Sequence, residues 1–234
     1  MKTTLFSKYM LSIATALICS ITPLVADEGP SAPAVALPPA QVILKAAADM
    51  GVEAVDLAYV KSKLPALISG DKKVFVIDAR PEKNYGEGHI PTAFNMYDAK
   101  FELDYPKFEA LNIPKDAEIF LGIGRPCPMS LNDAKLLKEK GYTNLKAFVK
   151  GPVWIETQYV EVNEKMAKSY IKKGATFVDL ATDSTLAKFV ASGADKEKKV
   201  VLVGAKENAK VNYAAAEKVH GMGYKWTFVF NGTI

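Results

Sequence analysis

Cys127 sits within Phe120 to Ser130, FLGIGRPCPMS, where a short apolar run ends in two glycines, an arginine and two prolines ahead of a predicted helix. The thiolate is the attacking form of cysteine, and unpaired N–H groups at a helix start, reinforced by the helix dipole, favour that anion. Ser130 and Asp133 read as an S-x-x-D cap ahead of Leu136 and Leu137, so the pattern predicts a helix over 131–140 just beyond the thiol. Gly122 and Gly124 give the turn a tight backbone and two amide donors. Arg125 supplies either a fixed positive charge for an anionic substrate or a solvated surface charge.

Other reactive side chains are sparse. The two histidines, His89 and His220, stand apart from each other and from any cysteine or carboxylate cluster at ligand spacing, so no metal site is expected. No motif calls for a cofactor. Asp78 and Arg80 flank the end of an apolar run, where an ion pair would hold neighbouring segments together, and His89 falls in a Gly-His-Ile-Pro turn as a turn-fixing residue. Trp154 reads as a core plug, and Tyr97, Phe101, Tyr105 and Phe108 as an aromatic stretch that packs or lines a cleft.

The N-terminus gives these residues a compartment. Lys2 and Lys8 precede an apolar run that closes at Leu24, Val25 and Ala26 before Asp27 and Glu28, the layout of a secretory signal peptide over 1–26. A retained anchor is the other reading, but the run is shorter and more polar than the roughly 20 residues a bilayer span requires. Export would make the chain periplasmic or secreted, with no stable membrane span after cleavage. Cleavage would remove Cys19 and leave one thiol. Cys127 is then a reactive group, an intermolecular partner or a small buried hydrophobe. The formal charge of +4 is weak and its lysines are scattered among acids, which argues against nucleic acid as a partner.

The elements that must carry these residues follow from hydrophobic patterning, and 49% hydrophobic content suffices for a real core. A Pro/Ala-rich tether over 27–40 precedes two predicted helices, 41–50 and 56–68. VFVI (74–77), EIFL (118–121) and the strand at 145–149 are short apolar runs of the kind found in buried parallel strands, and Gly141 closes the helix between the last two. Strands alternating with helices predict an α/β fold in which a parallel sheet is covered on both faces. The pattern then recurs: residues 200–224 align without a gap on 118–142, pairing Gly204 with Gly122, Ala216 with Ala134, Gly223 with Gly141 and Tyr224 with Tyr142. FVDL (177–180) likewise echoes VIDA (76–79). The second copy is shorter between its first strand and its loop, and it has Ala209 where the first has Cys127.

VFVIDARPEKNYGEGHIPTAFNM (74–96), with its buried strand, Asp-x-Arg and Gly-His-Ile-Pro-x-Ala-x-Asn turn, resembles the rhodanese-like domain, and KGPVW (150–154) continues that match. The resemblance covers roughly 51–155 well and 159–232 weakly. It implies two three-layer units, each a parallel sheet flanked by helices with the second truncated, divided as 41–155 and 156–234. It also implies sulfane-sulfur transfer through a cysteine persulfide held by loop amides. In that family the nucleophile occupies the first loop position, which here is Gly122, or Leu121 if the register slips by one; Cys127 lies five residues after Gly122, as in members with a second loop cysteine. Pro126 and Pro128 beside the sulfur carry no N–H. On this resemblance Cys127 would be catalytic, Arg125, Gly122, Gly124 and Ser130 substrate-binding, and Asp78, Arg80 and His89 structural. The partner would be a small anionic sulfur compound such as thiosulfate, a thiol acceptor, or another protein. A sulfurtransferase and a catalytically silent binding module both fit these residues.

Overall fold

Residues 40–234 are described in a computed structural model; the predicted signal segment and nearly all of the tether lie outside them. The first half begins with α1 (Ala40–Asp49), β1 (Glu53–Asp56), α2 (Leu57–Ser69), β2 (Val74–Asp78), α3 (Glu82–Glu87), β3 (Phe94–Asn95) and α4 (Phe101–Glu109). It closes with β4 (Glu118–Leu121), α5 (Pro128–Glu139), β5 (Leu145–Lys150) and the single turn α6 (Trp154–Thr157). Its five strands are all parallel, in the order β1-β5-β4-β2-β3. Alternation sorts their side chains to two faces. Ile77, Ile119, Leu121, Ala147 and Val149 pack under α1, α4 and α5, while Val76, Phe120 and Phe148 face α2 and Trp154 on the other side.

The second half comprises β6 (Val160–Glu161), α7 (Glu164–Lys172), β7 (Thr176–Asp179), α8 (Asp183–Ala191), β8 (Val200–Gly204), α9 (Ala209–Gly221) and β9 (Thr227–Asn231). Its parallel sheet runs β6-β9-β8-β7, which repeats β1-β5-β4-β2 strand for strand and lacks a counterpart of β3. That missing edge is what the shorter second copy omits. Both halves share one core, in which Phe120, Phe148 and Trp154 continue into Val200 to Val203, Tyr213 and Phe228. The exposed edge of β6 is closed by the first half through an antiparallel bridge, His89 N–H to the Glu161 carbonyl at 2.9 Å and Glu161 N–H to the His89 carbonyl at 3.0 Å. Among the described residues no helix is long and apolar enough to cross a membrane.

One element went unassigned in the sequence and one expectation is corrected. The segment before α2 is a strand, β1, whose Glu53 pairs with Lys146 on β5 at 2.5 Å and whose Val55 alone is buried. The helix after the loop starts three residues earlier than predicted, with Cys127 as N-cap and Pro128 in the first turn, where the missing N–H costs nothing. Ser130 and Asp133 are therefore not a cap pair; both lie inside the helix and both are buried.

Candidate functional site

The loop after β4 is sewn to its surroundings by its own backbone. Gly122 and Gly124 adopt φ of +112° and +98°, in the region where side chains are strained. A Cβ on Gly122 would come within 2.8 Å of the Phe148 carbonyl oxygen and 2.9 Å of Ser130 Oγ; on Gly124 it would come within 2.6 Å of the Pro152 carbonyl oxygen. Their amides are not free donors, contrary to the sequence expectation. Gly122 N–H binds the Ile77 carbonyl at 3.0 Å, Gly124 N–H binds the Phe148 carbonyl at 2.9 Å, and Trp154 N–H closes on the Ile123 carbonyl at 2.8 Å. Neighbouring strands take the donors because the loop must leave β4 between β2 and β5 with its buried amides satisfied.

Cys127 is a free thiol, only 9% exposed. Burial pushes its pKa above the usual thiol value, the Met129 and Ser130 amides pull it back, and the Asp98 and Asp78 carboxylates push it up again. Neither amide caps the helix through the sulfur with hydrogen-bond geometry. The helix start was expected to favour the thiolate; desolvation and two nearby negative charges outweigh it.

Asp78 and Arg80 form the expected framework. Arg80 Nε and a terminal nitrogen donate to both Asp78 carboxylate oxygens, the closest contact being 2.6 Å, and the same terminal nitrogen donates to the Gly88 carbonyl at 2.6 Å. Asn95 Nδ2 ties the same corner to the Asp78 and Arg80 carbonyls. His89 stacks on Tyr85 with ring centroids 3.7 Å apart, and its Nδ1 lies 2.9 Å from the Tyr85 carbonyl. Trp154 is fully buried with Nε1 donating to the Tyr159 carbonyl, and Phe101, Tyr105 and Phe108 pack the core.

Two further carboxylates stand out: Glu161, largely buried and unmarked by the sequence, and Asp133, which the sequence offered only as a helix cap. Glu161 accepts from Thr92 N–H at 3.0 Å, Tyr213 Oη at 2.7 Å and Asn231 Nδ2 at 2.9 Å, with His89 Nε2 3.6 Å away. Burial would raise its pKa, but His89, Tyr213 and Asn231 together hold it at about 2. Thr92 reaches this carboxylate from a left-handed turn, φ +67°. Asp133 is the opposite case: fully buried, with neither oxygen hydrogen-bonded. Burial pushes it up to about 8, and Asp98 and Asp104 add to the shift. Among the described residues no group of three or more His, Cys, Asp or Glu side chains is placed to hold a metal ion.

Beside the loop, on a side that Cys127 does not line, lies an open cleft of about 550 Å³. Arg80, Ile123, Arg125 and Ile155 line it from the first half, and Tyr170, Lys199, Trp226 and Phe228 from the second. Arg125 is half-exposed and pairs with Glu156 at 2.5 Å. Lys199 and Trp226 directly precede β8 and β9 and become neighbours through the pairing of Val200 with Thr227. Only that register brings them together, so nothing local in the sequence marked them. The structure thus separates the predicted site residues: Arg125 faces the cleft, Cys127 and Ser130 are buried under the start of α5, and the two glycines are backbone joints.

The family model of the Rhodanese-like domain matches residues 61–154. Similar solved structures include the rhodanese-like domain of a protein from Anabaena, 22% identical, covering 42% of this chain and 67% of that one with a TM-score of 0.31. A protein from Bacillus halodurans is 23% identical over 49% of this chain and 77% of that one, TM-score 0.35. A thiosulfate sulfurtransferase from Pseudomonas aeruginosa is 14% identical over 82% of this chain and 40% of that one, TM-score 0.34. No curated protein matches the chain.

Proposed function

We propose, from the match of residues 61–154 to the family model of the Rhodanese-like domain, that the protein, once exported, works as a catalytically silent relative of this sulfur-transfer family that binds an anionic ligand in the cleft beside its loop. The observation that carries this reading is the seat at Gly122. A nucleophile at the first loop position needs a Cβ there, and the Phe148 carbonyl and Ser130 hydroxyl occupy that space. The remaining thiol is buried, raised in pKa and not among the residues that line the cleft. Fold and chemistry separate readily in this way, because the site rather than the scaffold sets the reaction.

The test is direct. The protein is incubated with thiosulfate or polysulfide and its intact mass recorded. An unchanged mass is expected; a gain of about 32 Da, one sulfur atom, that disappears in Cys127→Ser overturns the proposal.

A second reading, sulfur carriage through Cys127, draws support from the Met129 and Ser130 amides that lower the thiol's pKa. In that reaction the Cys127 thiolate attacks the outer sulfur of thiosulfate, the S–S bond breaks, sulfite leaves with the bonding pair, and the persulfide passes its sulfur to an acceptor thiol. It requires the start of α5 to open, and the same mass measurement decides it.

A further inference from the structure

We propose that the cleft takes a small organic anion of one particular build: a single negative group carried on a flat apolar body. This deepens the reading of the cleft as the working surface and is independent of any chemistry at Cys127. The cleft, at about 550 Å³, is of the size that encloses a multi-ring organic molecule and is far too large for a bare inorganic anion. Its walls supply the apolar half of the match. Ile123 and Ile155 face it from the first half of the chain, and Tyr170, Trp226 and Phe228 from the second. Trp226 remains 36% exposed at the rim, with the Lys225 ammonium 4.9 Å from its ring centroid, so it offers an apolar surface beside a second cation.

The charge half of the match is Lys199. Its ammonium lies 4.1 Å from the Tyr170 ring centroid and 5.7 Å from that of Phe228, and among the described residues no carboxylate pairs with it. The aromatic rings hold the cation in place without neutralising it, so an incoming anion meets a positioned charge. Arg125 stands on the opposite half, and its pair with Glu156 is exposed on both sides, so exchanging that carboxylate for a ligand's loses little. Arg80 contributes less because Asp78 and the Gly88 carbonyl engage its guanidinium. Glu87, also in the lining, limits the negative charge the cleft accepts and favours a monoanion over a dianion. A ligand of this build would touch both halves of the chain at once.

The probe is 2-naphthalenesulfonate, titrated calorimetrically into the full chain, with 2-naphthalenemethanol as the body without the charge and inorganic sulfate as the charge without the body. Binding at one site per chain is expected, about tenfold weaker in Lys199→Met and again in Trp226→Ala, with both controls at least tenfold weaker than the probe. Both positions are exposed, so neither substitution threatens folding, and circular dichroism checks this. No binding at millimolar probe overturns the proposal, as does binding unchanged by both substitutions. Sulfate or the neutral alcohol binding as tightly as the probe also overturns it. The mass measurement on Cys127 is a separate readout: a persulfide there would remove the silent-module reading and leave this titration standing, whereas failure of the titration would leave the mass result untouched.

Discussion

After β4 the chain turns through Gly122 to Cys127; after β8, at the equivalent place in the repeat, it turns through Gly204 to Asn208. Both turns open on a glycine, and in both the residue beneath that glycine comes from the first turn of the following helix at the same position of the repeat, Ser130 in α5 and Asn212 in α9. The plugs differ in what they leave behind. Asn212 fills its space completely, donating to the Ala205 carbonyl at 3.0 Å and to Asn231 Oδ1 at 2.9 Å, so the second loop is closed by a satisfied side chain. Ser130 is smaller, and the first loop is closed by backbone, with the Phe148 carbonyl standing where a side chain would go. The same glycine of the repeat is thus backed by different groups in the two halves. The buried carboxylates divide likewise, since the second half surrounds Glu161 with donors and the first leaves Asp133 with none.

The largest test of this contrast is at Glu161. Glu161→Ala should lower stability by about 3–5 kcal/mol in urea unfolding at pH 7, because Thr92 N–H, Tyr213 and Asn231 lose a buried charged acceptor. The folded pKa of about 2 lies below the ordinary 4.5, so this stabilisation is complete above about pH 4.5 and drains away as pH falls toward 2. An acid limb that persists unchanged in Glu161→Ala would mean that other carboxylates cause it.

Next in size are the glycines. Gly122→Ala should cost about 2–4 kcal/mol, from a left-handed φ and a contact with fixed backbone, and Ser130→Ala should recover little of it. Gly204 has no positive φ, and the three atoms nearest an added Cβ there all belong to the Asn212 side chain. Gly204→Ala should therefore be largely rescued by Asn212→Ala. Equal rescue in the two halves, read from thermal midpoints, would break the distinction between a backbone plug and a side-chain plug.

Asp133 is expected to have an effect of opposite sign, confined to neutral and alkaline pH. Its folded pKa of about 8 lies above the ordinary 3.8, so the native state binds the extra proton and stability falls as pH rises from about 4 through 8. Asp133→Asn removes the ionisation and should stabilise the protein by several kcal/mol at pH 8.5 while changing little at pH 4. An unfolding free energy that is flat between pH 5 and 8.5 in the parent protein would mean that Asp133 finds a partner in solution.

What the sequence disclosed divides along the range of the interactions. The apolar runs of β2, β4 and β5, the Asp78–Arg80 corner and the duplication are local or periodic, and they were legible. β1 was not, because EAVD buries a single residue and carries charge at both ends. The true cap at Cys127 was hidden by a Ser and an Asp that look like better ones. Glu161 meets Thr92, Tyr213 and Asn231 only through the packing of the two halves, and no local pattern announces that meeting. The same holds for Lys199 and Trp226, which are neighbours only across the β8–β9 register.

The smallest expected effect on stability lies at Arg125, where it separates a structural charge from a binding one. Its pair with Glu156 is short but exposed on both partners, and such pairs are worth about 0–1 kcal/mol. Arg125→Gln should therefore leave the urea midpoint almost unmoved. If the cleft is the working surface, the same substitution should weaken 2-naphthalenesulfonate severalfold, because it removes the cation that the first half contributes, while Glu156→Gln should strengthen binding slightly by releasing that cation. Stability falling with affinity unchanged would make Arg125 a brace between the loop and α6. Affinity falling with stability unchanged would place the recognition of charge on both halves of the repeat.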